Sequence, residues 1–301
     1  GLILRTEKSV LFVIPWGRHW IIGTTDTDWD LNKDHPAASR TDIEYLLKHV
    51  NKVLVEPLTP EDVEGVFAGL RPLLAGEDEA TSKLSREHAV STSVKGLVVI
   101  AGGKYTTYRV MAKDAIDAAV QQMESMLDRR VPRCCTDEVP LLGAEGYEAL
   151  WNQRHALAER QGVGVGRIEH LLNRYGSLAV EVFDLMVQRP ELAEPLAGND
   201  DYLRAEVVYG VTHEGARHLD DILARRTRLS IETFSRGTES AVEAASLMAG
   251  PLGWSAEQRD LEVAHYLKRV EAELESQTMV DDETADAARM GASDVVPILQ
   301  D

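Results

Sequence analysis

Val98-Val99-Ile100-Ala101-Gly102-Gly103-Lys104-Tyr105-Thr106-Thr107-Tyr108-Arg109 combines residue types that can hold an anionic or carbonyl-rich ligand. The apolar run reads as a short buried strand, the two glycines as a tight turn, and Thr106 onward as a helix. Glycine lets backbone N–H groups come close to a ligand, a helix N-terminus adds unpaired donors and a positive dipole end, and Lys104 adds a full charge. A Gly-Gly-Lys turn alone is common in βα units, so its meaning depends on its company. Other chemistry-bearing groups are fewer. His213, Glu214 and His218 form His-Glu-x-x-x-His, one residue off the zinc spacing His-Glu-x-x-His, and are not expected to bind a metal. Cys134 and Cys135, the only cysteines, are adjacent, which suits two reduced thiols. Arg225-Arg226-Thr227-Arg228 reads as a solvated basic face, a partner surface or a contact for an anionic membrane.

The elements that must position these groups follow from periodicity. Residues 10–15 and 19–25 are β-rich runs joined by Trp16-Gly17-Arg18-His19, a hairpin signal. Thr41-Asp42-Ile43-Glu44 predicts a capping box, with Ile43, Leu46, Leu47, Val50 and Leu54 on one helix face. Thr59-Pro60-Glu61-Asp62 predicts another N-cap, with Pro at the first position. Strands are expected over 86–93 and 96–101 and a helix over 106–126. Beyond Pro132 the pattern is helical, near 145–160, 167–174, 177–188, 201–209, 215–226 and 237–249. Ser255-Ala256-Glu257-Gln258 caps a last helix bearing Leu261, Ala264, Leu267, Val270 and Leu274. From Ser276 the chain is acidic, without periodicity, and expected to be disordered.

The 301 residues suffice for two domains with sizeable cores, and 44% hydrophobic with 27% charged residues is the balance of a soluble globular protein. Fifty acidic against 32 basic residues, net −18, disfavour nucleic acid as a partner. No apolar run approaches the roughly 18 residues that a membrane span needs. Gly1 to Val10 carry no signal-peptide pattern.

Five motifs then occur in order: Leu11-Phe12-Val13-Ile14-Pro15-Trp16, Ile21-Ile22-Gly23-Thr24-Thr25-Asp26, Gly69-Leu70-Arg71-Pro72-Leu73, Ser85-Arg86-Glu87-His88, and the Gly102–Arg109 stretch. Together they closely resemble the FAD-dependent, respiratory glycerol-3-phosphate dehydrogenases, over roughly residues 1–255 and most strongly in the first 125. The resemblance implies a fold of an α+β substrate-domain sheet (1–95), the closing βα unit of an FAD-binding, glycine-oxidase-like domain (96–130), and a separate all-α C-terminal domain (131–275), with 276–301 as the acidic tail. Members of that family open with Gly-x-Gly-x-x-Gly, which grips the FAD pyrophosphate. Here the nearest match, Gly162-Val163-Gly164-Val165-Gly166, follows no strand and reads as a loop before a helix. The chain thus looks like a C-terminal portion, expected to be inactive alone.

By the same resemblance Arg71 would hold the substrate phosphate, Lys104 would assist beside the flavin, and Arg86 would meet the hydroxyl end of glycerol 3-phosphate. Arg forks onto two oxygens, whereas Lys acts as a point charge. Gly102, Gly103, Lys104, Tyr105, Thr106 and Thr107 would approach the flavin and its ribityl chain. The histidine serving the C2 hydroxyl in that family lies upstream of this start, leaving His88 and Asp26 as in-chain candidates. Implied partners are a quinone acceptor, the absent FAD-binding segment, a peripheral membrane contact and a homodimer, with a cytoplasmic location on the inner face of the plasma membrane. The alternatives are a glycerol-3-phosphate oxidase, an FAD amine or amino-acid oxidase, and a non-catalytic interaction fragment.

Overall fold

The computed structural model describes residues 1–7, 10–72, 74, 87–123 and 130–293. The N-terminal region builds an antiparallel sheet, β1 (Leu2–Arg5), β2 (Val10–Trp16) and β3 (His19–Gly23), in that order. Gly17, at φ +58°, makes the β2–β3 turn that closes Trp16 against His19. Alternation along β2 sends Leu11 and Val13 inward, where they pack with Val50 of α1 (Arg40–Val50). The α1 cap is Ser39 rather than Thr41. Asp42 Oδ2 accepts from both Ser39 N and Ser39 Oγ, so a Ser-x-x-Asp box starts the helix two residues early, while Thr41 Oγ1 donates to Val280 O. Thr59 N donates to Asp62 Oδ2 and caps a 3₁₀ turn, Pro60–Asp62.

The chain divides into two compact units. One comprises residues 1–25, 30–69 and 146–301; the other comprises 26–29 and 70–145. The expected boundaries at 95/96 and 130/131 do not coincide with these. The sheet belongs with the helical region because specific contacts hold it there. Trp16 Nε1 donates to Glu232, the Arg228 guanidinium lies 4.8 Å from the Trp16 ring centroid, and Arg40 N donates to Met279 O.

The helical part of the first unit runs α3 (Tyr147–Asn152), α4 (Arg154–Gln161), α5 (Val165–Tyr175), α6 (Ala179–Gln188), α7 (Arg204–Thr212), α8 (Leu229–Glu232), α9 (Thr238–Leu252), α10 (Ala256–Ser276) and α11 (Asp282–Arg289). Gly164 caps α5, so Gly162–Gly166 is a loop leading into a helix. Ile168, Leu171, Leu172 and Phe183 anchor one apolar core; Leu219, Ile222, Leu223 and Met248 anchor another. Three expectations change here. Within 215–226 the chain forms a π-helical turn, Asp221–Arg226, closed by Thr227 N and Oγ1 on Ile222 O. Ser255 does cap α10, but the helix buries Glu262, Tyr266, Arg269 and Val270 while Leu267 and Leu274 stay exposed. Hydropathy misplaces the face because Glu262 and Arg269 enter it paired, with His218 and Asp220. Finally, part of the tail expected to be disordered is α11, capped by Asp281 on Thr284 N, with Ala285 and Arg289 buried.

The second unit is small. β4 (His88–Ser91) pairs antiparallel with β5 (Val99–Gly102), a 3₁₀ turn covers Tyr105–Thr107, and α2 (Tyr108–Met123) follows. The expected helix from Thr106 therefore starts as a 3₁₀ turn, and 124–126 lie outside the described residues. Among the described residues of this unit only Gly102 is buried, and Tyr108, Val110 and Ile116 of α2 are exposed.

Candidate functional site

The strand–turn–helix read from the sequence is present in the second unit. Gly102 and Gly103 both take left-handed backbone angles, φ +76° and +84°. Packing against backbone adds to conformation at Gly102, whereas Gly103 meets the movable end of a methionine. A Cβ on Gly102 would sit 2.5 Å from the Glu87 carbonyl oxygen, and one on Gly103 2.5 Å from Met111 Sδ. The chain leaves this turn at Lys104, whose carbonyl accepts from Thr107 N at 2.9 Å and from Thr107 Oγ1 at 2.9 Å. Thr107 thus closes the turn, while the N–H groups of Tyr105 and Thr106 precede the first bonds a helix can satisfy. Lys104, Tyr105, Thr106 and Thr107 are all exposed. A turn without side chains, first-turn donors and an exposed ammonium fit the carbonyl-bearing edge of a flavin ring.

Arg71 belongs to the same unit. Its Nη1 lies 2.8 Å from Asp26 Oδ2, and both segments enter this unit close by, at Asp26 and at Leu70. Pro72 restricts Arg71 to extended backbone. Leu70 is itself exposed, and the Arg71 side chain is 35% accessible. Arg86 lies outside the described residues.

His88, on β4, stands opposite Gly102 in the sheet, and its Nε2 lies 2.8 Å from Asp114 Oδ2 on α2. The sequence singles out His88 but not Asp114, because the two lie 26 positions apart, with strand β5, a turn and the first part of α2 between them. The remaining candidates are taken up elsewhere. His213 Nδ1 contacts Thr212 Oγ1 and its ring stacks on Tyr209; His218 Nδ1 contacts the buried Glu262. Arg225 pairs with Asp220 and Asp221, Arg226 with Glu214, and Arg228 with Glu232. That basic run is therefore neutralised by carboxylates rather than presented as a positive patch.

Two family models match this chain. FAD dependent oxidoreductase covers residues 2–116, and the C-terminal domain of alpha-glycerophosphate oxidase covers residues 134–259. It is 56% identical over 292 residues to glycerol-3-phosphate dehydrogenase 2 of Mycobacterium bovis, and equally to the glycerol-3-phosphate dehydrogenase of Mycobacterium leprae. Each alignment takes in 97% of this chain and 49% of the relative. It is 31% identical to a glycerol-3-phosphate dehydrogenase of Synechocystis, over 88% of this chain and 48% of that protein. Among solved structures, the glycerol-3-phosphate dehydrogenase from Bacillus halodurans complexed with FAD superposes with a TM-score of 0.70 at 27% identity, covering 93% of this chain and 53% of that one. The chain thus spans about half the length of the curated relatives it matches.

Proposed function

This chain belongs to the FAD-dependent glycerol-3-phosphate dehydrogenase family, and from that membership we propose that it supplies the phosphate-binding and flavin-facing side of the reaction centre. The reaction is oxidation of sn-glycerol 3-phosphate to dihydroxyacetone phosphate. The observation that carries this reading is the Gly102-Gly103-Lys104 turn, left-handed at both glycines, free of side chains and followed by an exposed ammonium, in the unit that also holds Arg71.

FAD would take the hydride from C2, and the hydroxyl proton passes to a base. Arg71 binds the phosphate dianion, Arg86 orients the hydroxyl end, and Lys104 adds positive charge next to the turn. Gly102, Gly103, Tyr105, Thr106 and Thr107 receive the flavin edge. His88 serves as a structural group, because its Nε2 is committed to Asp114. The base is placed in the half of the family's length that this chain does not span.

The second unit supports that division. Among its described residues, the two-stranded sheet and one helix bury no large apolar side chain, short of what independent stability needs, so another polypeptide surface would cover them. We assign that role to the remainder of the full-length protein, which also brings the pyrophosphate grip. The proposal includes a quinone acceptor, a cytoplasmic enzyme held peripherally at the inner face of the plasma membrane, and homodimerisation. A second reading, an oxidase passing electrons to O₂, is favoured by the match of residues 134–259 to an alpha-glycerophosphate oxidase domain. Dye-linked turnover of the full-length enzyme tests the assignment: Arg71→Ala should raise KM for glycerol 3-phosphate at unchanged flavin content. Comparing reoxidation of the reduced enzyme by quinone and by O₂ separates the two acceptors.

A further inference from the structure

We propose that Asp26 is the positioning residue for Arg71, holding its guanidinium in one orientation before the phosphate arrives; this rests on the assignment of Arg71 to the phosphate. Asp26 is the first residue of the short segment 26–29 that joins the second unit, and Arg71 is the second residue of the longer one. The two are 45 residues apart in sequence, yet Arg71 Nη1 donates to Asp26 Oδ2 at 2.8 Å. Asp26 comes three residues after the last residue of β3, in a stretch without regular structure. Its side chain is 18% accessible, against 35% for Arg71, so the more enclosed partner is the one that sets the geometry.

The need for such a partner is physical. An arginine with four rotatable side-chain bonds in a loop without regular structure would have to be ordered by its ligand, at a cost to affinity. A carboxylate hydrogen-bonded to one guanidinium nitrogen restricts the orientations of the fork in advance. The pair is too exposed to matter much for folding, since ion pairs of this kind contribute little to stability. Its effect belongs to binding, and it engages Asp26 as an acceptor for Arg71 rather than as the base.

The test uses the full-length flavoenzyme with Asp26→Ala, Asp26→Asn, Arg71→Ala and the Asp26→Ala/Arg71→Ala double variant. For each, KM and kcat with glycerol 3-phosphate are measured, and inorganic phosphate binding is followed by perturbation of the flavin spectrum. The expected result is a KM, and a dissociation constant for phosphate, raised roughly three- to tenfold by Asp26→Ala, the effect of ordering one rotamer-rich side chain. The kcat should stay within about twofold, since uniform binding is what is lost. Asp26→Asn, which keeps an acceptor oxygen, should show a smaller rise, and remains informative if Asp26→Ala folds poorly. In the Arg71→Ala background the Asp26 substitution should add nothing.

If Arg71→Ala raises KM while Asp26→Ala and Asp26→Asn do not, the positioning role is overturned and the phosphate assignment stands. An Asp26→Ala effect that persists undiminished in the Arg71→Ala background also overturns it. So does a fall in KM for Asp26→Asn, which would mean that the carboxylate competes with phosphate. If Arg71→Ala itself leaves KM and phosphate binding unchanged, the assignment of Arg71 fails first and the inference falls with it.

Discussion

His88 Nε2 lies 2.8 Å from Asp114 Oδ2, joining the strand that pairs with Gly102 to the helix that begins after Gly103 and Lys104. The contact ties α2, which follows the glycine turn, to β4, the strand paired with the one that precedes it. It also gives His88 a role that its place two residues after Arg86 does not reveal.

The turn itself leads to the first prediction. Gly102→Ala forces a left-handed angle on a residue with a Cβ and drives that Cβ against the Glu87 carbonyl. Strain of this sort costs on the order of 1–3 kcal/mol. In the full-length enzyme the expected outcome is a lower flavin-to-protein ratio and a lower melting temperature. Full flavin retention would show that the turn can move without consequence.

The helical region rests on a buried carboxylate. Glu206 is fully buried and accepts from His170 Nε2, Tyr175 Oη and Leu203 N. Removing one partner of such a network costs about 3–5 kcal/mol. Glu206→Ala should therefore bring a large drop in the urea midpoint, with Glu206→Gln falling less. A loss of unfolding free energy under about 1 kcal/mol in Glu206→Ala would contradict this account of the core.

His170 adds a pH signature to that network. Burial lowers its pKa, but the hydrogen bond and charge of Glu206 outweigh burial and leave it raised above 6.5. Stability from this pair is fully present below pH 6.5 and is lost as pH rises through the raised value. His35 runs the other way. Burial first, then the charges of Arg269 and Arg289, hold it at about 4, so its contribution is full above pH 6.5 and lost as pH falls toward 4. Asp220, also nearby, opposes the shift without reversing it. His35→Asn should flatten the fall in urea midpoint between about pH 6.5 and 4.5 relative to wild type. Parallel pH profiles would remove His35 from the acid response.

The isolated chain should purify colourless and gain a flavin absorption band only when refolded with the complementary half of the full-length protein. That outcome follows from a second unit in which no large apolar side chain is buried among the described residues. Tight flavin binding by the chain alone would contradict it.

Local chemistry was legible where a short stretch decides it. The β2–β3 hairpin, the Thr59 and Ser255 caps, the Gly164 loop and the Gly102-Gly103 turn all rest on neighbours in sequence. What escaped were pairings across long separations. Asp26 with Arg71, His88 with Asp114 and Glu262 with His218 leave no spacing signal, because each depends on how distant elements meet. The buried face of α10 was misplaced for the same reason: a hydropathy stripe cannot register that Glu262 and Arg269 enter the interior already paired. In 282–289, acidic composition suggested disorder, whereas the Asp281 cap and the buried Ala285 and Arg289 make a helix.

The most direct test of the central claim is anaerobic titration of the full-length flavoprotein with glycerol 3-phosphate, with glycerol and with an amino acid, following the visible flavin band. The account predicts bleaching by glycerol 3-phosphate alone, shifted to higher concentration by Arg71→Ala. Bleaching by glycerol or the amino acid at comparable concentration, or an unshifted titration in Arg71→Ala, would contradict it.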